Sequence, residues 1–257
     1  MPNQPAIELV DVSFRTEGRT RIDGVSLTVA AGVILGVTGL DGCGKSSLLN
    51  LMSTLSPPTE GRVRLFGQDT RDIGHDGRRA LRLQISTVFE EGALLDGFTV
   101  AENIELPLAR RGLSKEELAE RVDHWVAMLE LNDCRDLMPY QLSTSMTRRT
   151  ALARALATEP RLLLCDEVTT GLDLRAILTF NRMLRGLRDA HGTTIVLAVD
   201  DLAQMSRMAD QVAVLDAGRL AFMGDLASLR GRSKEDAVLM NIFDDEVWAT
   251  AFPVAMP

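Results

Sequence analysis

Short apolar runs open the chain. Ile7–Phe14 (IELVDVSF) and Val25–Val29 (VSLTV) alternate apolar and polar positions, the period of a half-buried strand. Val33–Val37 (VILGV) is continuously apolar, as a strand covered on both faces must be. A glycine-rich turn leads into a helical pattern from about Lys45 through Leu55, where Pro57 and Pro58 follow as a stop. Arg62–Phe66 and Gln84–Phe89 predict further strands, with a short helix at Arg78–Arg82 between them. From about Val100 to Thr158 the period becomes helical. Ser114–Leu131 has a capping serine, acidic residues in its first turn and apolar residues at helical spacing, and Met146–Thr158 predicts a second helix. Beyond Pro160 the strands return at Leu162–Cys165, Thr194–Val199 and Gln211–Leu215, alternating with helices at Leu174–Ala190 and Asp201–Ala209. Such alternation predicts an α/β fold, a mostly parallel sheet covered by helices. The inner helical stretch is then an insertion, which divides the chain into a core of 1–97 and 161–230, a helical subdomain of 98–160 and a tail of 231–257. Phe243 and Trp248 in the tail are candidates for packing across a dimer or partner, or within the chain.

Composition narrows the function classes. The 257 residues are 46% hydrophobic and 25% charged, a soluble globular balance, and the net charge of −8 speaks against a broad nucleic-acid surface. The start MPNQPAIELV has no basic, apolar leader. The longest uncharged stretch, Gly24–Leu40, holds four glycines and fits two buried strands and a turn rather than a membrane span. Cys43, Cys134 and Cys165 form no CxxC pair, which points to a reducing compartment and away from structural zinc. Only Lys45, Lys115 and Lys234 are lysines, so a lysine inside a motif carries weight.

Lys45 stands in such a motif. Gly39-Leu40-Asp41-Gly42-Cys43-Gly44-Lys45-Ser46-Ser47 follows a buried strand and opens a helix, the context that the phosphate-binding pattern G-x-x-x-x-G-K-[ST] requires. Glycines let backbone N–H groups curl around phosphates, and the helix start adds partial positive charge. Lys45 is placed to reach the β- and γ-phosphates, and the Ser46 hydroxyl to ligate Mg²⁺. Cys43, facing helix-terminal N–H groups, is either a small tolerated residue or a thiol of lowered pKa. A second motif, Arg161-Leu162-Leu163-Leu164-Cys165-Asp166-Glu167, is a short apolar strand ending in two acids. Ligands of parallel sheets bind at the carboxyl ends of strands, so both acids are expected beside the phosphate loop, Asp166 for Mg²⁺ and Glu167 as general base for an attacking water.

With these motifs the chain resembles the ATP-binding subunits of ABC transporters from about Ile7 to Arg230. It is most similar, in Gly92-Ala93-Leu94-Leu95, Leu137-Met138-Pro139 and Arg148-Arg149-Thr150-Ala151-Leu152-Ala153-Arg154-Ala155, to the ATPases of Mla/Mce lipid transporters. Gly171-Leu172-Asp173 resembles the family's D-loop. The resemblance implies a RecA-like P-loop NTPase core with N-terminal antiparallel strands, ATP and Mg²⁺ as ligands, and a head-to-tail pair of cassettes. That pair is a homodimer, or a heterodimer with a second, intact ATPase. It also implies an inner-membrane permease, a lipid-binding MCE-type subunit in the same complex, no nucleic-acid partner, and a place on the cytoplasmic face of the inner membrane.

Several family positions differ. The signature is Leu142-Ser143-Thr144-Ser145-Met146, in which Ser143 is retained for a phosphate across the dimer, while Thr144 and Ser145 replace glycines or cap the following helix. The Q-loop position is Glu90, a carboxylate able to ligate Mg²⁺. The switch-histidine position is Val199. The adenine-stacking aromatic falls near Thr16, with Phe14 and Arg15 as substitutes. These departures predict a site that binds MgATP and hydrolyses it slowly, or a regulatory nucleotide binder paired with an intact ATPase.

Overall fold

The computed structural model describes residues 4–109, 111–170, 172, 174–243 and 247–248. The chain first runs through β1 (Ile7–Thr16), β2 (Arg19–Val29), β3 (Ile34–Thr38), α1 (Lys45–Met52), β4 (Glu60–Leu65), β5 (Gln68–Asp69), α2 (His75–Arg82) and β6 (Ile85–Val88). Three helices follow: α3 (Val100–Glu105), α4 (Lys115–Met128) and α5 (Thr144–Leu156). It then returns through β7 (Leu162–Asp166), α6 (Leu174–His191), β8 (Thr194–Ala198), α7 (Leu202–Ser206), β9 (Gln211–Asp216) and β10 (Arg219–Gly224), and ends in α8 (Leu226–Arg232) and α9 (Ala237–Ile242).

Two sheets form. One is antiparallel, in the order β2-β1-β4-β5; the other has the order β10-β9-β3-β8-β7-β6 and is parallel except for β10. All five residues of β3 are buried, which accounts for the unbroken apolar run VILGV. Successive side chains of a strand point to opposite faces, and the parallel strands divide their residues accordingly. Leu35, Val37, Leu162, Leu164, Val196 and Ala198 join the core shared with α1 and the antiparallel sheet. Ile34, Leu163, Ile195, Leu197, Val212 and Val214 join the core on the other face, which continues into the helical layer. Gly36 permits the closest approach there: a Cβ would lie 2.6 Å from Met205 Cγ of α7. The expected α/β architecture, with antiparallel N-terminal strands and inserted helices, is the one observed.

The inserted helices begin where their sequence says. Thr99 with Glu102 and Ser114 with Glu117 form reciprocal capping boxes at the starts of α3 and α4. Asn103, wholly buried on α3, ties down the loop before it. Its carbonyl accepts from Leu95 N–H, and its amide donates to the carbonyls of Leu95, Phe98 and Thr99 at 3.0–3.2 Å. Asn103→Ala is expected to cost about 2–3 kcal/mol, because buried backbone groups lose their partners; urea unfolding measures it.

Some boundaries differ from expectation. α1 ends at Met52, before the prolines, because Thr54 turns left-handed (φ 62°). α2 starts earlier, at His75, and α7 stops at Ser206. β10 has no clear apolar alternation and forms because the Ala217–Gly218 turn, with φ of 45° and 83°, folds it back on β9. Phe243 and Trp248 pack on each other at 5.8 Å and are buried in the chain's own core, which decides between the two readings of the tail. Among the described residues no helix is long and apolar enough to cross a membrane.

Candidate functional site

Three parallel strands end side by side. Val37 is in register with Ala198 of β8, and Ala198 with Asp166 of β7. The segments that follow β3, β7 and β8 therefore meet at one edge of the sheet, where ligands of such sheets bind. After β3 the chain turns through Gly39 (φ 147°), Gly42 (φ 73°) and Gly44 (φ 115°). Two of these glycines are also fixed by space: a Cβ on Gly39 would lie 2.1 Å from the Leu215 carbonyl, and one on Gly44 2.7 Å from that of Arg21. The turn closes with Cys43 N–H on the Leu40 carbonyl and is anchored by Gly218 N–H on the Cys43 carbonyl. Leu40, Asp41, Gly42 and Ser46 are exposed, while Ser47 is partly covered. As at any helix start, the first-turn N–H groups of α1 have no carbonyl behind them and are available to an anion.

Lys45 lies beneath this loop, 5% exposed. Its Nζ donates to Gly39 O at 3.2 Å and to Asp200 Oδ1 at 2.7 Å, and stands 3.7 Å from Glu167 Oε1. Burial works against its charge, but the Asp200 hydrogen bond and the charges of Asp200 and Glu167 outweigh it, so the ammonium titrates above its ordinary range. Burial pushes the Asp166 carboxyl up, while Ser46 and Lys45 pull it back. Asp166 Oδ1 is buried without a hydrogen-bond partner among the described residues. An orphaned carboxylate oxygen beside a serine hydroxyl is a donor set that suits Mg²⁺. Glu167 sits in the left-handed region at φ 47°, its N–H on the Ala198 carbonyl. Burial, then the charge of Asp200, raises its carboxyl above the usual range, the direction that strengthens a base.

Beside Asp166 a groove of about 570 Å³ opens toward the helical layer, lined by Glu90, Glu91, Leu94, Tyr140 and Thr147 among others. Glu90 is exposed on its wall. Ser143 caps α5, its hydroxyl accepting from Met146 N–H at 3.3 Å, and makes no hydrogen bond to the phosphate loop among the described residues.

The protein-family profile described as "ABC transporter" matches residues 22–170. The chain belongs to the ABC transporter family. It is thus the ATP-binding, ATP-hydrolysing component of such a transporter. The cassette is 36% identical over 244 residues to a Caulobacter vibrioides protein named methionine import ATP-binding protein MetN, covering 95% of this chain and 74% of the relative. A Geobacillus kaustophilus protein of the same name is 39% identical over 208 residues, and this cassette spans only 60% of its length. The solved dimeric structure of the ATP-binding cassette MJ0796 bound to ADP and Pi superposes with a TM-score of 0.79 at 29% identity, covering 86% of this chain and 98% of that one. The lipid-transporter subtype and its MCE-type partner find no support among these relatives, whose names give methionine import.

Several expectations about the cassette's site change with its geometry. The Cys43 thiol is buried and its pKa is raised by desolvation, against the lowering effect of Lys45, so the reading of an activated thiol fails. Thr144 and Ser145 do not cap α5: they lie in its first turn, and Ser143 is the cap. The assignment of the switch position to Val199 fails: Val199 is 3% exposed, turned into the core with its N–H on the Val37 carbonyl, and the residue after β8 that stands at the site is Asp200. Arg15 is exposed and paired with Glu60, and Phe14 is partly buried against the core that holds the antiparallel sheet. The D-loop stretch Gly171-Leu172-Asp173 falls largely outside the described residues, which include Leu172 alone. Two residues have parts that the motifs did not announce. Asp200 pairs with Lys45, and Arg154 of α5 donates to the carbonyls of Gly92 and Ala93, fastening the turn after Glu90 to the helical layer.

Proposed function

We propose that this cassette couples ATP binding and hydrolysis to a membrane permease seated in the groove between the sheet and the helical layer. The observation that carries this reading is the meeting of Lys45, Asp166 and Glu167 at the carboxyl ends of β3 and β7, with Asp166 also lining that groove. In this reading the loop from Gly39 to Ser47 cradles the phosphates of ATP and Lys45 neutralises their charge. Ser46 and Asp166, with Glu90 nearby, are the residues that would hold Mg²⁺. That ion, when bound, draws charge off the β- and γ-phosphate oxygens. Glu167 accepts a proton from water as its oxygen bonds to the γ-phosphorus and the bond to the bridging oxygen of the ADP leaving group breaks. Ser143 faces the nucleotide of a second cassette in a head-to-tail pair. The residue after β8 that faces the site is Asp200, a carboxylate with no donor for the γ-phosphate, so one transition-state contact is missing and turnover is slow. The exposed Leu95, Phe98 and Tyr140 around the groove offer a permease helix an apolar seat.

The named relatives favour methionine as cargo. The lipid reading rests on Gly92-Ala93-Leu94-Leu95, Leu137-Met138-Pro139 and Arg148–Ala155 alone. The test is isolation of the chain with its membrane partner in detergent, followed by reconstitution into vesicles. A multi-span membrane protein should accompany the chain, and labelled methionine should accumulate only with ATP. Phospholipid transfer in place of methionine uptake would move the cargo to the lipid class. A chain that brings down no membrane protein would overturn the coupling reading.

A further inference from the structure

We propose that Asp200 is a built-in competitor with nucleotide for the phosphate-loop lysine, and that it makes nucleotide binding by this chain lean on a divalent cation. An ammonium has three N–H donors. Here three protein oxygens surround Lys45 Nζ: Asp200 Oδ1 at 2.7 Å, Gly39 O at 3.2 Å and Glu167 Oε1 at 3.7 Å. Asp200 and Gly39 take two of the donors by hydrogen bonds, and Glu167 stands over the third beyond hydrogen-bond reach, so a phosphate oxygen approaching Lys45 competes with carboxylates for its charge. Gly39 O is held by the backbone, and the Glu167 side chain is 23% exposed. The Asp200 side chain makes the shortest contact, yet at 50% exposed it is the carboxylate that water can take back when the lysine turns to phosphate. Its position follows from the fold. Val199 is drawn into the core and bonded to β3, and the next residue is left at the mouth of the site.

The consequence is twofold. Asp200 competes with phosphate for the same cation, and once displaced its charge remains within a few ångströms of the phosphates. Like charges at that separation near a protein surface repel strongly enough to change a binding constant by an order of magnitude. A divalent cation on the phosphates offsets the repulsion but not the competition.

The inference rests on ATP binding at the Gly39–Ser47 loop, and the experiment separates the two. Binding of a fluorescent ATP analogue to the full chain is titrated with Mg²⁺ and with EDTA, for wild type, Asp200→Asn and Asp201→Asn. Asp201 caps α7 through its side chain, and asparagine keeps that cap, so this variant controls for the loss of a nearby negative charge. Asp200→Asn is expected to tighten binding about tenfold in EDTA and about threefold in Mg²⁺, with Asp201→Asn close to wild type in both and thermal midpoints unchanged. Wild-type affinity in Asp200→Asn under both conditions overturns the proposal. So does weaker binding in Mg²⁺, which would make Asp200 a cation ligand, and so does equal tightening by Asp201→Asn. A wild-type chain that binds no nucleotide overturns the ATP reading itself and the proposal with it.

Discussion

Glu167→Gln lowers steady-state ATP turnover by about 10²–10⁴-fold and leaves ATP bound, the expected result of removing a general base without changing its shape. The amide has the same size, tolerates the left-handed backbone no worse than the acid, and keeps the N–H bond to Ala198, so the loop stays in place. What is lost is the carboxylate that burial and Asp200 have made more basic. The measurement is phosphate release by the assembled complex together with nucleotide retained after gel filtration. Turnover unchanged by the substitution would place hydrolysis in another subunit and leave this chain a nucleotide-binding regulator. Loss of binding as well as turnover would mean that Glu167 acts on the fold of the site and not on the water.

Lys45→Ala has the other large effect, on binding. Lys45 is the cation to which Asp166, Glu167 and Asp200 all couple. Without it, phosphates meet three carboxylates and no compensating ammonium, and the affinity for MgATP is expected to fall at least about 10²-fold. Calorimetric titration checks this. The double variant Lys45→Ala with Asp200→Asn should recover part of the loss, because the two residues interact directly and their effects are not additive. A loss below threefold in Lys45→Ala would show that the loop amides alone hold the phosphates.

Both predictions concern residues that are legible in the amino-acid sequence. The phosphate loop is legible because its chemistry is local: three glycines, one lysine and two serines act within nine residues, and the spacing carries the geometry. Asp166 and Glu167 are legible one step less directly, through the rule that acids ending an apolar parallel strand face the ligand edge. Asp200 is not. The resemblance put the switch position at Val199, one residue short, and nothing in the flanking sequence says which of the two neighbours faces the site. Burial and sheet order decide it: Val199 turns into the core against β3, and Asp200 is left at the edge where β3, β8 and β7 end. Cys43 departs from its expected chemistry for a related reason. The helix start above it argues for a lowered thiol pKa, but packing against Gly39 and within the core that holds Ile22 buries it, and desolvation outweighs the dipole.

The sequence by itself determined that this protein is an α/β nucleotide-binding chain with an inserted helical layer. It also located most of the longer strands and helices to within a few residues, and pointed to the loop and the two acids that are proposed to carry the chemistry. These are properties of short stretches, in which apolar period, capping residues and glycine placement act over a few neighbours. Only the tertiary structure decided which cap starts α5, that the tail aromatics pack inward, that Arg154 and Asn103 fasten the groove, and that Asp200 holds Lys45. Each of these joins groups brought together by strand order and burial, and the free energy of such a contact depends on its surroundings, not on the residues that flank it in the chain.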